Sequence, residues 1–229
     1  MSRHFVSAII GAALAVVGAI SVSAANEKNP AVDLLFETKH ITAIAPGTEL
    51  VYKFERKPSN EAVLGKGFTD DIKVKIESDA GDGKKNVMVQ IYSGERAREP
   101  HRITEMDGNP MLVVYLDNAV AHFKELAGGD RSYLKNTFSK DIGKSGKLDP
   151  VSITYKGETV PGYRVSLTPY INDPAKSKMR GFEGAQFSIF VSEKVPGYFA
   201  KMVSSYTNSG KDAPTLEEVT TLDGVGEVK

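Results

Sequence analysis

The segment Ile72-Lys73-Val74-Lys75-Ile76-Glu77, with the turn-rich run Asp79-Ala80-Gly81-Asp82-Gly83 and then Val87, Val89 and Ile91, decides the fold class. Apolar and charged residues alternate with period two, so one side of the segment is buried while the other meets water. Gly and Asp suit the backbone of a tight turn. The two runs therefore read as an antiparallel hairpin.

Working outward, Leu50, Tyr52 and Phe54 alternate with Val51, Lys53 and Glu55, a third strand that follows the turn at Pro46-Gly47. Asn29-Pro30 ahead of Ala31, Val32, Leu34, Leu35 and Phe36 reads as a short capped helix. On the other side the period changes. After the turn Asp107-Gly108-Asn109-Pro110 and the apolar run Met111 to Leu116, Asp117 or Asn118 can cap a helix through Val120, Phe123 and Leu126 that ends at Gly128-Gly129. A second helix follows from Asp130, with Tyr133, Leu134, Phe138 and Ile142 on one face.

Strands are expected again at Val151–Tyr155, Tyr163–Leu167, Phe187–Val191, around Tyr198–Tyr206 and near Leu216–Leu222. Val160-Pro161-Gly162-Tyr163 and Val195-Pro196-Gly197-Tyr198 read as two hairpin turns of the same type. The expected class is α+β and β-rich, a curved antiparallel sheet or half-barrel. Residues 26–229 form one domain, with a two-helix insertion at about 117–142.

The first 25 residues have their own pattern. Arg3 and His4 precede an uncharged run, Phe5 to Ile20, and Ser21-Val22-Ser23-Ala24-Ala25 closes it with small residues. That is the order of a secretory signal peptide, with cleavage expected to leave Ala25 or Asn26 as the first residue. An uncleaved anchor is the weaker expectation, because the run is short for a span and diluted by Ala, Gly and Ser. The 229-residue chain has 29 Lys+Arg, 29 Asp+Glu and no cysteine. Balanced charge removes any global electrostatic case for nucleic acid. A Cys-free exported chain of this length can rely on its core instead of disulfides, so a periplasmic location is expected.

Compact chemical motifs are missing. There is no Walker loop, no G-x-S-x-G and no G-x-G-x-x-G. Ser132-Tyr133-Leu134-Lys135 matches S-x-x-K, with Lys144-Ser145-Gly146 and Tyr206-Thr207-Asn208 imitating its companion boxes, but in the wrong order; a helix-surface pair is the better reading. His40, His101 and His122 form no ligand motif, and Glu125 is the near acid that His122 could meet on a helix. Asp70-Asp71 and the Asp79/Asp82 loop lack the order of a calcium loop. Gly94–Arg102 gathers three arginines and a histidine suited to an anionic group, but Glu95 and Glu99 favour a self-paired, solvated segment. No catalytic, cofactor-binding or metal-binding residue is assigned, and no cofactor is expected.

Leu34-Leu35-Phe36, Gly47-x-x-Leu50-x-Tyr52-x-Phe54, Gly108-Asn109-Pro110, Gly128-Gly129 followed by Tyr133, and Val195-Pro196-Gly197 together resemble an uncharacterised family of exported bacterial proteins. This resemblance implies location and fold, since its motifs are turns and core residues. The element order is also similar to the lipoprotein-carrier (Lol-type) half-barrel, whose concave face holds acyl chains; it carries over no residue. The expectation is an exported protein that binds an apolar or amphipathic envelope molecule such as a lipid, with Leu50, Tyr52, Phe54, Ile72, Val74 and Ile76 lining either a concavity or a closed core. The alternatives are an envelope hydrolase with a site assembled from scattered residues and a purely structural envelope protein. A carrier should show an open apolar pocket without a buried His–acid pair, and an enzyme the reverse.

Overall fold

The structure is a computed structural model that describes residues 29–210 and 213–229. The expected signal peptide lies outside the described residues. Asn29 caps α1 (Pro30–Val32), its side chain accepting from the Ala31 N–H, and the helix continues into a π-helical turn, Asp33–Glu37. Next come β1 (Glu49–Pro58), α2 (Glu61–Leu64), β2 (Phe68–Gly81), β3 (Lys84–Ile91) and β4 (His101–Met106). The insertion is α3 (Met111–Ala127) and α4 (Arg131–Ser145). The chain closes with β5 (Lys147–Tyr155), β6 (Glu158–Leu167), β7 (Gln186–Val191), β8 (Phe199–Tyr206), β9 (Leu216–Leu222) and β10 (Val225–Val228). Among the described residues no helix is long and apolar enough to cross a membrane.

All ten described strands pair antiparallel in one sheet that is not closed, in the order β10-β5-β6-β7-β8-β9-β1-β2-β3-β4. The alternation that marks the strands in sequence also sets the register. Val74 lies opposite Leu50 and Val89, so apolar positions stack across neighbours while Lys73 and Lys75 face outward. Val74, Ile76 and Tyr52 have no exposed surface.

One connection forces the sheet to curl. β9 ends at Leu222, paired with Tyr52, yet Val225 already pairs with Tyr155 at the far edge. In a flat sheet the five strand steps from β9 to β10 span about 24 Å, whereas three residues reach about 10 Å. The turn residues tie the two regions together: Asp223 N–H donates to the Val51 carbonyl at 2.8 Å, and Lys156 N–H donates to the Gly224 carbonyl at 2.7 Å.

The helical insertion packs on the apolar side of the curl. From α3, Met111, Tyr115, Ala119 and Phe123 are buried, and from α4, Leu134, Phe138 and Ile142. Helix α3 begins at Met111, six residues before the 117 expected from sequence, and α4 ends at Ser145 instead of 142. The cause is Asn109, whose side-chain oxygen accepts from the Met111 N–H at 3.0 Å, so Asp117 and Asn118 fall inside the helix.

The two Pro-Gly sequences also part company. Val195-Pro196-Gly197-Tyr198 is a turn between strands, with Gly197 at φ +72°. Val160-Pro161-Gly162-Tyr163 is not a turn; it lies inside β6, and the hairpin reverses at Lys156-Gly157. Gly162 is needed there for space, since a Cβ would stand 2.6 Å from Ile153 and 2.7 Å from the Val191 carbonyl.

Candidate functional site

Two buried polar centres and an open apolar groove stand out among the described residues. The first centre is Asn109, at the entry to α3. Its N–H donates to Nδ1 of His40, and its side-chain nitrogen donates to the Tyr52 hydroxyl at 2.9 Å and the Gly197 carbonyl at 2.8 Å. Nε2 of His40 then donates to the Leu34 carbonyl at 2.8 Å, which fixes one neutral tautomer. Burial lowers the His40 pKa below 6.5, against the raising effect of the Leu34 hydrogen bond and Asp107. Burial likewise pushes the Tyr52 hydroxyl well up. Each of these partners is satisfied, so this centre pins the Asp33–Glu37 turn, β1, the 195–198 turn and the start of α3 to one another without offering a reactive group.

The second centre is Glu218 of β9, only 4% exposed. Its Oε2 lies 2.7 Å from Nδ1 of His122 on α3, and Arg56 approaches Oε1 at 3.4 Å. The Tyr206 hydroxyl, raised well above the usual tyrosine range by burial and by the Glu218 charge, donates to the Ala119 carbonyl. Tyr115 donates to the Val203 carbonyl at 2.7 Å. Glu125, the helix neighbour expected for His122, is replaced by an acid on a strand far along the chain. The signal was present in β9: Leu216, Glu218, Thr220 and Leu222 share a face, placing an acid on an apolar side. The adjoining cavity, bounded by Phe54, Ile72, Met111 and Ser204, measures about 10 Å³. That volume admits a water-sized molecule and no substrate.

An open, predominantly apolar groove of about 320 Å³ is lined by Leu34, Val151, Pro161, Tyr163 and Val191, with Glu193 and Lys194 at its border; a larger one of about 460 Å³, beside Tyr133, Lys140, Asp141 and Asp173, is more polar. Tyr163 pairs with Val191 two residues beyond the buried Val165–Ile189 pair, so the groove continues the inner apolar face past the cover of the helices. Tyr163 is 45% exposed. A smaller apolar groove of about 200 Å³ lies between α3 and α4, where Phe36 and Val113 are exposed. Leu50, Tyr52, Phe54, Ile72, Val74 and Ile76 line neither groove; all six are core.

The remaining sequence candidates resolve as follows. Ser132 and Lys135 stand on the exposed first turn of α4, and Lys144 lies about 18 Å along the same helix, so no penicillin-type site is assembled. Tyr133 instead reaches both oxygens of Asp173 at 2.8 and 2.9 Å. In the arginine-rich segment Arg96 pairs with Asp70 and stacks on Phe68, while Arg102 pairs with Glu77. The acids are on β2, not the Glu95 and Glu99 of the segment itself. Asp79 holds Lys85 across the hairpin, a structural pairing. Among the described residues no group of three or more His, Asp or Glu is placed to hold a metal.

Comparison with protein-family models finds no match to this chain, and comparison with curated proteins finds none either.

Proposed function

We propose that the protein is an exported periplasmic binding protein for an apolar or amphipathic envelope molecule such as a lipid, and that it acts by binding, not catalysis. The observation that carries this reading is the groove beside Tyr163. It is concave, predominantly apolar, open to solvent and within the 300–1,000 Å³ range of small-molecule sites. An acyl chain seated there gains roughly 0.8 kcal/mol for each buried methylene, so useful affinity needs no polar motif in the sequence. Glu193 and Lys194 at the border leave room for a polar head at the water side. The Lol-type resemblance supports the same ligand class, with one difference: here the middle of the inner face is filled by α3, and the site is displaced to the β6–β7 end.

The hydrolase reading has the His122–Glu218 pair in its favour. A cavity of about 10 Å³ beside that pair leaves nowhere for a substrate carbonyl to sit, so binding is the better reading.

A titration with a fluorescent lysolipid or fatty acid tests the proposal. Saturable binding, displaced by lipid extract and weakened at least tenfold by Tyr163→Lys, is the expected result. No saturable binding, or binding indifferent to Tyr163→Lys, overturns the groove as the site. Export is tested separately by N-terminal sequencing, which should recover Ala25 or Asn26; recovery of Met1 contradicts it.

A further inference from the structure

Glu218 Oε2 is held by His122, but Oε1 accepts no hydrogen bond from any described residue, although Arg56 Nε lies 3.4 Å away. A carboxylate has about four acceptor sites, and a buried one left short of donors is costly. Oε1 belongs to a side chain on the wall of the 10 Å³ cavity. The other polar groups on that wall are Tyr115 and Asn118 from α3 and Ser204 and Thr220 from the sheet; the rest is apolar, including Phe54, Ile72 and Met111. A cavity of about one probe sphere with two to four polar partners is the requirement for one buried water.

We infer that this cavity is a binding site for a single water molecule, which donates to Glu218 Oε1 and bridges the sheet to α3 through the hydroxyls of Ser204 or Thr220 and the side chain of Asn118 or Tyr115. The size excludes larger ligands. The chemistry of the wall requires a donor for the carboxylate, and water supplies one while also accepting from a hydroxyl or amide. The apolar wall and the overlying helix slow its exchange with solvent, so this water is a fixed part of the junction. The site stands apart from the Tyr163 groove, and its test leaves the proposed function untouched.

The test is a high-resolution crystal structure of the protein together with water–amide cross-relaxation in NMR. Density for one water within hydrogen-bond distance of Glu218 Oε1, and cross-peaks from a long-lived water to the Ala119 or Thr220 amide, are expected. The double variant Ser204→Ala/Thr220→Val, which removes both wall hydroxyls, should lose both signals. If that variant fails to fold, Ser204→Ala serves, with loss of a polar partner and weakened cross-peaks expected. An empty cavity with Oε1 bonded directly to Arg56 overturns the assignment, as does a water that makes no contact with Glu218 or cross-peaks unchanged in the variants.

Discussion

On β1 and β2 the inner face of the sheet carries residues such as Tyr52 and Val74 with no exposed surface, whereas at the β6–β7 end Tyr163 leaves nearly half of its surface in water. The two stretches have the same alternation and similar apolar content, and both belong to strands paired on two sides. They differ in cover. The buried region is tied to α3 through Asn109 at the helix entry and Glu218 along its length, while past Val165 and Ile189 the face opens into the groove with Leu34 on its wall. Identical strand chemistry thus becomes core in one place and an open apolar surface in the other, according to which distant segments pack on it.

Four measurements break or sharpen this contrast. The largest effect is expected for Val74→Asp, which puts an unpaired charge at a position with no exposed surface; a loss of at least about 4 kcal/mol, or failure to fold, should appear in urea unfolding. Wild-type behaviour would mean that the covered centre is not a core. Asn109→Ala comes next. It strips side-chain partners from Tyr52, the Met111 N–H and the Gly197 carbonyl together, while the backbone N–H that meets His40 stays, and about 3 kcal/mol of stability should be lost in the same assay.

Third is the pH dependence of that centre. Because burial lowers the His40 pKa, the unfolded chain binds this proton more readily than the native one. Stability should therefore fall as pH drops below 6.5, and level off below the folded value. Asp70 behaves differently. Desolvation alone would raise it, but hydrogen bonds from Ser93, the Asp71 N–H and Arg96 outweigh that and hold it below 3.8, so its contribution is present above 3.8 and lost only at lower pH. Unfolding free energies measured across both windows should show two separate declines. A profile flat through 6.5 would remove His40 from the account. Smallest on stability is Tyr163→Lys at the uncovered end, expected to stay within about 0.5 kcal/mol of wild type by thermal unfolding even though ligand affinity falls.

Much of the sheet was legible in the sequence. The period-two runs at Leu50–Phe54, Ile72–Ile76, Tyr163–Leu167 and Phe187–Val191 are strands, because alternation reports the one property that a two-sided sheet imposes on each strand alone. What depends on distant partners was harder to read. The start of α3 is set by Asn109, a turn residue by type that serves as a cap because Tyr52, His40 and Gly197 hold it in place. Gly162 looked like half of a Pro-Gly turn, but its small size answers to Ile153 and Val191 across the sheet. The His122–Glu218 pair joins a helix to a strand near the other end of the chain, and nothing around His122 signals it. The groove was invisible for another reason: whether an apolar strand face is covered depends on the distant segments that pack on it, not on the strand's own alternation.

The seating of β1 between β2 and β9 has a kinetic consequence. Tyr52 pairs with Ile72 on one side, a local hairpin, and with Leu222 on the other, after nearly the whole domain has intervened. The β1–β4 meander can form early, but its inward side chains gain their full cover only when β9 arrives and brings Glu218 to His122. Closing so long a loop adds little to the entropy per doubling of its length, yet that entropy is lost before the contacts repay it. Folding should accordingly run in the millisecond-to-second range typical of sheets dominated by non-local pairs, with an interval in which the β1–β4 meander exists and its apolar side is still bare.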